Sequence, residues 1–236
     1  MIPEQGSERS ELPPPAREKL ERVLYILARD RGAPSTVTDP GRAWRVHVAD
    51  SLTGLGVSEL REAQRVADVG SGAGFPGLVL AVALSESRVD LIEATRRKCD
   101  FIAHVIAEAT IENARVICDR AESFAEDKPP DGGREAYQVV TARAVGRLAT
   151  LAELASPLLA SGGVLVAWKG RRDPEEEAEL DRGAERLAMR RMSVKWVGPY
   201  AGSRHRHLHV VRKAGPTPPS LPRRPGMAKK RPLGSR

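Results

Sequence analysis

The run Asp68-Val69-Gly70-Ser71-Gly72-Ala73-Gly74-Phe75-Pro76-Gly77 constrains this chain more than any other feature. An apolar strand-like segment, Arg65–Val69, leads into it, and an apolar helix-like segment from about Pro76 to Leu84 comes after it. Glycines at such a junction let the backbone approach a ligand closely where a helix N-terminus begins. The unit reads as the first strand, loop and helix of an α/β domain that holds a nucleotide. The rest of the chain fits that beginning. Strand Arg88–Ala94 precedes a helix with Phe101, Ile102, Val105, Ile106 and Ala109 on one face. Then come strand Ala114–Cys118, a short helix near Glu122, strand Gln138–Ala142, a helix to about Leu159 and strand Gly163–Trp168. Five strands alternating with helices imply a parallel sheet covered on both faces. A charged helix, Pro174–Met189, precedes strands Ser193–Val197 and Leu208–Arg212, close enough to pair antiparallel at one edge.

Four regions are expected. Residues 1–15 are polar, end in three prolines and read as disordered. Residues 16–60 form a small helical element. In it Leu20, Val23, Leu24 and Leu27 recur at helical spacing, and Asp39-Pro40 opens a second helix through Trp44, Val48, Leu52 and Leu55. Residues 61–214 form the α/β domain. Residues 215–236 are a basic, proline-rich tail without regular structure.

The loop matches two nucleotide classes. Gly72-x-Gly74-x-x-Gly77 fits the NAD fingerprint, with Glu93 where a ribose-binding acid belongs. Three features favour S-adenosylmethionine. The turn is a G-x-G-x-G that opens at Gly70, just after Asp68. Pro76 starts the helix at once, leaving a wide loop. A polar segment, Asp119-Arg120-Ala121-Glu122, comes after the third strand, where a methyltransferase reads adenine. In an open α/β sheet the ligand lies beyond the strand ends where strand order reverses. Gly70, Gly72, Gly74, Glu93, Ala121 and Glu122 fall on one side of that crevice, and Arg143 and Lys169 on the other.

The chain resembles the bacterial 16S ribosomal RNA guanine-N7 methyltransferases (RsmG, also called glucose-inhibited division protein B). The matching segments are His47-Val-Ala-Asp50-Ser51-Leu52, Asp68–Gly77, Arg97-Lys98-x-x-Phe101, Arg120-Ala121-Glu122, Ala142-Arg143-Ala144, Lys169-Gly170 and Arg206-His207-Leu208. The ending Pro222-Arg-Arg-Pro-Gly226 with Lys229-Lys-Arg-Pro-Leu233 matches too. Departures are Val79 for a frequent proline and Cys99 for a frequent basic residue. The resemblance implies a Rossmann-like class I methyltransferase fold, with a seven-stranded, mostly parallel sheet, an antiparallel edge strand and a small N-terminal helical element. It implies that Gly70, Phe75, Ala121, Glu122 and Arg143 contact the methyl donor. It also moves His47, Asp50 and Ser51, which share one helical face, from a solvated surface to a pocket wall.

Guanine N7 carries an in-plane lone pair and no proton. Methylation there needs alignment rather than a general base, so no catalytic base is assigned. Asp50 is a candidate to face the positive charge that the product base gains. Exocyclic amino methylation is disfavoured, because Thr141-Ala-Arg143-Ala stands where an Asn/Asp-Pro-Pro-aromatic run is usual. Cytosine C5 chemistry is disfavoured because Cys99 lies within a helix and Cys118 within a strand. Two unpatterned cysteines also fit a reducing, cytoplasmic setting. His205, His207 and His209 alternate along an edge strand, which is a weak metal pattern, so no metal is expected.

Charge points to the partner. Of 38 Lys and Arg, fourteen lie in residues 186–236, which contain no Asp or Glu. The rest carries 24 basic against 31 acidic residues. An all-basic end on an acidic body fits polyanion binding. Expected RNA contacts are Arg223, Arg224, Lys229, Lys230 and Arg231 in the tail. Arg96, Arg97 and Lys98 join them, because positive charge at a helix N-terminus opposes the helix dipole unless it is used. No apolar run approaches the roughly 18 residues that span a bilayer. A monomer that works on 16S ribosomal RNA or the small subunit is the leading reading. A small-molecule methyltransferase, a nonenzymatic ribosome-binding protein and an NAD oxidoreductase remain alternatives.

Overall fold

The computed structural model describes residues 12–235. Seven strands form one sheet: β1 (Arg65–Val69), β2 (Arg88–Ile92), β3 (Ala114–Ile117), β4 (Tyr137–Arg143), β5 (Leu159–Lys169), β6 (Met189–Trp196) and β7 (His207–Lys213). Their order is β3-β2-β1-β4-β5-β7-β6. The first five run parallel, and β7 pairs antiparallel with both β5 and β6. The antiparallel strand therefore sits one in from the edge. Order reverses between β1 and β4, so their C-terminal ends open the crevice in which α/β ligands bind.

Strand interiors read as buried apolar runs because helices cover both faces. On one face the N-terminal helical element and the helices Gly77–Ala83 and Arg96–Glu108 bury Leu20, Leu24, Leu27, Leu78, Leu80 and Ile102. On the other, the helices Leu148–Ala155 and Pro174–Leu187 bury Leu148, Leu151, Leu158 and Leu180. The helix after β4 ends at Ala155, short of the expected 159. Pro157 cannot extend it, and Leu159 already pairs with Tyr137 in the sheet.

Two expectations about the ends change. Of the expected disordered stretch, residues 1–11 lie outside the described residues. From Pro14 the chain is helical to Arg29, because prolines are tolerated in a first turn, where amides lack intrahelical acceptors. The tail is not structureless. It makes a short helix, Met227–Lys230, and folds back onto the second face, burying Leu221, Ala228 and Leu233 in that core. Three apolar residues placed between prolines dock it there, together with the fork of Arg223 on buried Glu153.

Asp39 caps the second helix as its sequence position implies, its Oδ1 accepting from the Arg42 amide at 2.8 Å. That helix widens into a π-turn over Trp44–Ala49. Such widened turns concentrate at functional sites, and this one holds His47, with Asp50 directly after it.

Candidate functional site

The glycine loop is built over a buried carboxylate. Asp68 is fully enclosed at the end of β1. Its oxygens accept from Thr141 Oγ1 at 2.9 Å and from the Gly77 amide at 3.1 Å. Burial raises its pKa to about 6, against the pull of those hydrogen bonds. The carboxylate thus ties β1 to β4 and holds the first amide of the adjoining helix. Glu93, at the end of β2, accepts from the Gly72 amide at 3.1 Å and from the Thr95 amide at 2.9 Å.

Two loop glycines differ in what they permit. At Gly70 (φ +69) a Cβ would lie 2.6 Å from Val145 Cγ2, so the position must stay bare for packing. At Gly72 (φ +61) a Cβ would meet nothing nearer than its own loop's Gly70 carbonyl at 3.9 Å. The backbone there is uncovered and open to a ligand. A bare strand-to-helix loop with an acid at the next strand end fits an adenosyl group, and Gly72 and Glu93 would hold it. Ala121 and Glu122, buried after β3, stand on the same side.

Across the strand-order reversal lies an open cavity of about 360 Å³, at the lower end of ligand-site volumes. Val46, His47, Asp50, Arg143, Lys169 and Arg206 line it, together with Trp168. Arg143, at the end of β4, donates to Asp50 Oδ2 at 3.0 Å and to the Val46 carbonyl at 3.1 Å. Its other nitrogen lies 3.3 Å from His47 Nδ1. A guanidinium only donates, so Nδ1 accepts, and Nε2 carries the proton toward Ser35 Oγ at 3.1 Å. Burial, then the Arg143 charge, lowers the His47 pKa to about 4. The ring is a neutral wall, stacked 4.4 Å from the Phe75 ring of the glycine loop. Cavity and loop are therefore one packed unit.

After Arg143 the chain turns sharply, with Ala144 at φ +59, a region that non-glycine residues rarely enter. Strain of that kind gathers at functional sites. Lys169, at the end of β5, is held by Glu176 at 2.6 Å and the Gly146 carbonyl at 2.9 Å. Among the described residues, three buried side-chain polar atoms lack a partner. Two of them, Asp50 Oδ1 and Arg206 Nε, face each other here at 3.6 Å. No group of His, Cys, Asp and Glu among the described residues is arranged to hold a metal.

A family model described as rRNA small subunit methyltransferase G matches residues 34–208. The chain belongs to that family. The ribosomal RNA small subunit methyltransferase G of Pelotomaculum thermopropionicum is 41% identical over 220 residues, 92% of this chain and 90% of that relative. That of Desulfitobacterium hafniense is 37% identical over 199 residues, 84% and 81% of the two. Among solved structures, a SAM-dependent methyltransferase from Aquifex aeolicus aligns with a TM-score of 0.52 at 17% identity, over 74% of this chain and 94% of that one. The Methanococcus jannaschii fibrillarin pre-rRNA processing protein aligns at 0.54 and 19%, over 71% and 74%. At such identities these two speak for the fold alone.

In this member of the rRNA small subunit methyltransferase G family, the residues singled out from sequence fall into three groups. His47, Asp50, Arg143 and Lys169 meet in the cavity. Gly70, Gly72, Gly74, Phe75, Glu93, Ala121 and Glu122 lie just beyond the C-terminal ends of β1, β2 and β3. Phe75 is buried beneath His47 and Arg143. Others are engaged elsewhere. The Ser51 hydroxyl is buried and donates to the His47 carbonyl at 2.6 Å, so it is no cavity group. Arg223 forks onto buried Glu153 at 2.6 and 2.7 Å and is committed to holding the tail. Arg224, Lys229, Lys230 and Arg231 stay exposed. Arg96 pairs with Asp100 on its own helix, Arg97 reaches the Gly32 carbonyl, and Lys98 leans toward Glu93 at 3.8 Å. Each thus has a local contact, while Arg96 and Arg97 stay exposed.

Trp168 and Arg206 line the cavity although sequence reasoning does not single them out for it. The Trp168 indole donates to the Asp50 carbonyl at 2.9 Å. Both stand where β5 ends and β7 begins, and strand ends on that edge are the available signal.

Proposed function

We propose that the protein transfers the methyl group of S-adenosylmethionine to N7 of a guanine in 16S ribosomal RNA of the small ribosomal subunit, in the cytoplasm. The observation that carries this reading is a cavity whose basic groups are all engaged, with the Asp50 carboxylate held between Arg143 at 3.0 Å and Arg206 at 3.6 Å. His47 is neutral and bonded through both ring nitrogens, and Lys169 is held by Glu176. A nucleophile that must lose a proton would need an acceptor here, whereas N7 offers its lone pair directly. When bound, S-adenosylmethionine supplies an electrophilic methyl group. The chain's own residues position and shield. Gly70, Gly72, Gly74 and Glu93 would hold the donor, with Ala121 and Glu122 beside its adenine. His47 and Arg143, fixed on Phe75, set the wall between donor and base. Asp50 places a carboxylate where the methylated base becomes cationic.

The test compares two transcripts of 16S RNA, one ordinary and one made with 7-deazaguanosine, which has carbon in place of N7. Labelled methyl should enter the first and not the second. Equal uptake by both would overturn the assignment of the target atom.

A further inference from the structure

The largest exposed ring in the molecule lies outside the cavity. Trp196, the last residue of β6, is 63% exposed. Tyr25, the other exposed ring among the described residues, is covered by Arg22 and Arg29. Trp196 has no cation over it among the described residues, yet it is fixed. Its Nε1 donates to the Arg204 carbonyl at 3.4 Å. Its far edge packs on Gly198, where a Cβ would come within 2.9 Å. A ring pinned at its edges and open to solvent is preorganised for stacking.

The segment facing it across the turn is basic. Arg204, His205 and Arg206 come just before His207, which pairs with Trp196, and residues 186–236 contain no acid. Arg171, beyond β5, reaches within 3.5 Å of His205 Nε2. A second open cavity, of about 350 Å³, is lined by Tyr200, Gly202, Ser203, Arg204, His205 and Arg206. Arg206 also lines the cavity that holds His47 and Asp50, so the two share a wall. Its Nε is buried with no hydrogen-bond partner and faces Asp50 Oδ1 at 3.6 Å.

We propose that the β6–β7 turn, residues 197–206 with Trp196 at its base, is a docking subsite for an unpaired nucleotide of the RNA adjoining the base that enters the cavity. The nucleobase stacks on Trp196, and Arg204 and Arg171 meet the flanking phosphates. A stacking ring beside uncompensated cations is the chemistry by which proteins hold single strands without reading their sequence. A ribosomal protein is the competing occupant, and the second cavity, lined by Arg204, His205 and Arg206 and by no acid, favours phosphate. The inference rests on the reading that the substrate is ribosomal RNA.

The experiment uses the full chain with naked 16S RNA, with assembled small subunits, and with S-adenosylmethionine alone by calorimetry. Trp196→Ala should weaken binding to naked RNA about tenfold and raise KM for RNA, with donor affinity unchanged. Trp196→Phe should recover most of the loss, because a ring is restored. If the wild type methylates RNA and Trp196→Ala binds naked RNA within twofold of it, the subsite is refuted while the proposed function stands. Loss of affinity for subunits only would overturn the RNA assignment in favour of a protein contact. If the wild type binds the donor but methylates neither RNA nor subunits, the proposed function falls and takes the subsite with it.

Discussion

Asp50 and Arg143 are buried together, their side chains 6% and 16% exposed, 3.0 Å apart. Removing one partner of such a pair leaves a charge in low dielectric and typically costs about 3–5 kcal/mol. Arg206, 3.6 Å from the other Asp50 oxygen, offsets part of that. Arg143→Ala should therefore lower unfolding stability in urea by about 2–4 kcal/mol as well as abolish methyl transfer. Adding Asp50→Asn should restore part of the stability and none of the activity. Full stability in Arg143→Ala would show that the pair is not buried in solution. Sequence places Arg143 at the end of the fourth strand and so in the crevice. It does not show that the guanidinium is anchored to residues 46, 47 and 50. That contact spans more than ninety residues and depends on how the N-terminal helical element docks. The position of Arg143 at a strand end gives no sign of that stability cost; the buried pair does. The same blindness applies to Ser51, whose helical face is legible but whose hydroxyl folds back on its own helix.

Elements are legible in proportion to their periodicity. The alternation from β1 to β5 marks parallel strands and covering helices because each run is buried by neighbours on both sides. The tail escapes such a reading because its apolar residues, Leu221, Ala228 and Leu233, are too far apart to show a period. Prolines fix its shape instead, and two buried carboxylates receive it. Glu153 takes Arg223 and the Leu233 amide, and Glu122 takes the Gly226 amide at 2.7 Å. The second contact places the tail against the turn after β3, so the tail is part of the domain's second face. Adjacent arginines provide the test. Arg223→Ala strands Glu153, 3% exposed, and should cost about 2–4 kcal/mol. Arg224→Ala removes an exposed cation and should change stability by no more than about 0.5 kcal/mol. Equal thermal shifts for the two would mean that the tail is not docked through Glu153.

Among the described residues, two groups of exposed cations stand near the strand ends. Arg204 stands on the β7 side of the crevice. Gly226, bonded to Glu122 after β3, brings exposed Lys229, Lys230 and Arg231 toward the other side. The body before residue 186 carries more acid than base, so an RNA backbone meets attraction at the strand ends and repulsion over much of the rest. Phosphate contacts release counterions, and on single strands each neutralised charge steepens the fall of log affinity with log salt by about 0.7. Replacing Lys229, Lys230 and Arg231 by Gln leaves Leu221, Ala228, Leu233 and the Arg223–Glu153 pair in place. The triple variant should keep wild-type stability and donor affinity, and its salt slope for naked 16S RNA should be flatter by about 2. Trp196→Ala should behave in the opposite way, because stacking releases no counterions. It should lower affinity by a similar factor at every salt concentration and leave the slope alone. An unchanged slope in the triple variant would show that those three cations face away from the RNA, leaving the β6–β7 turn to carry the electrostatic contact.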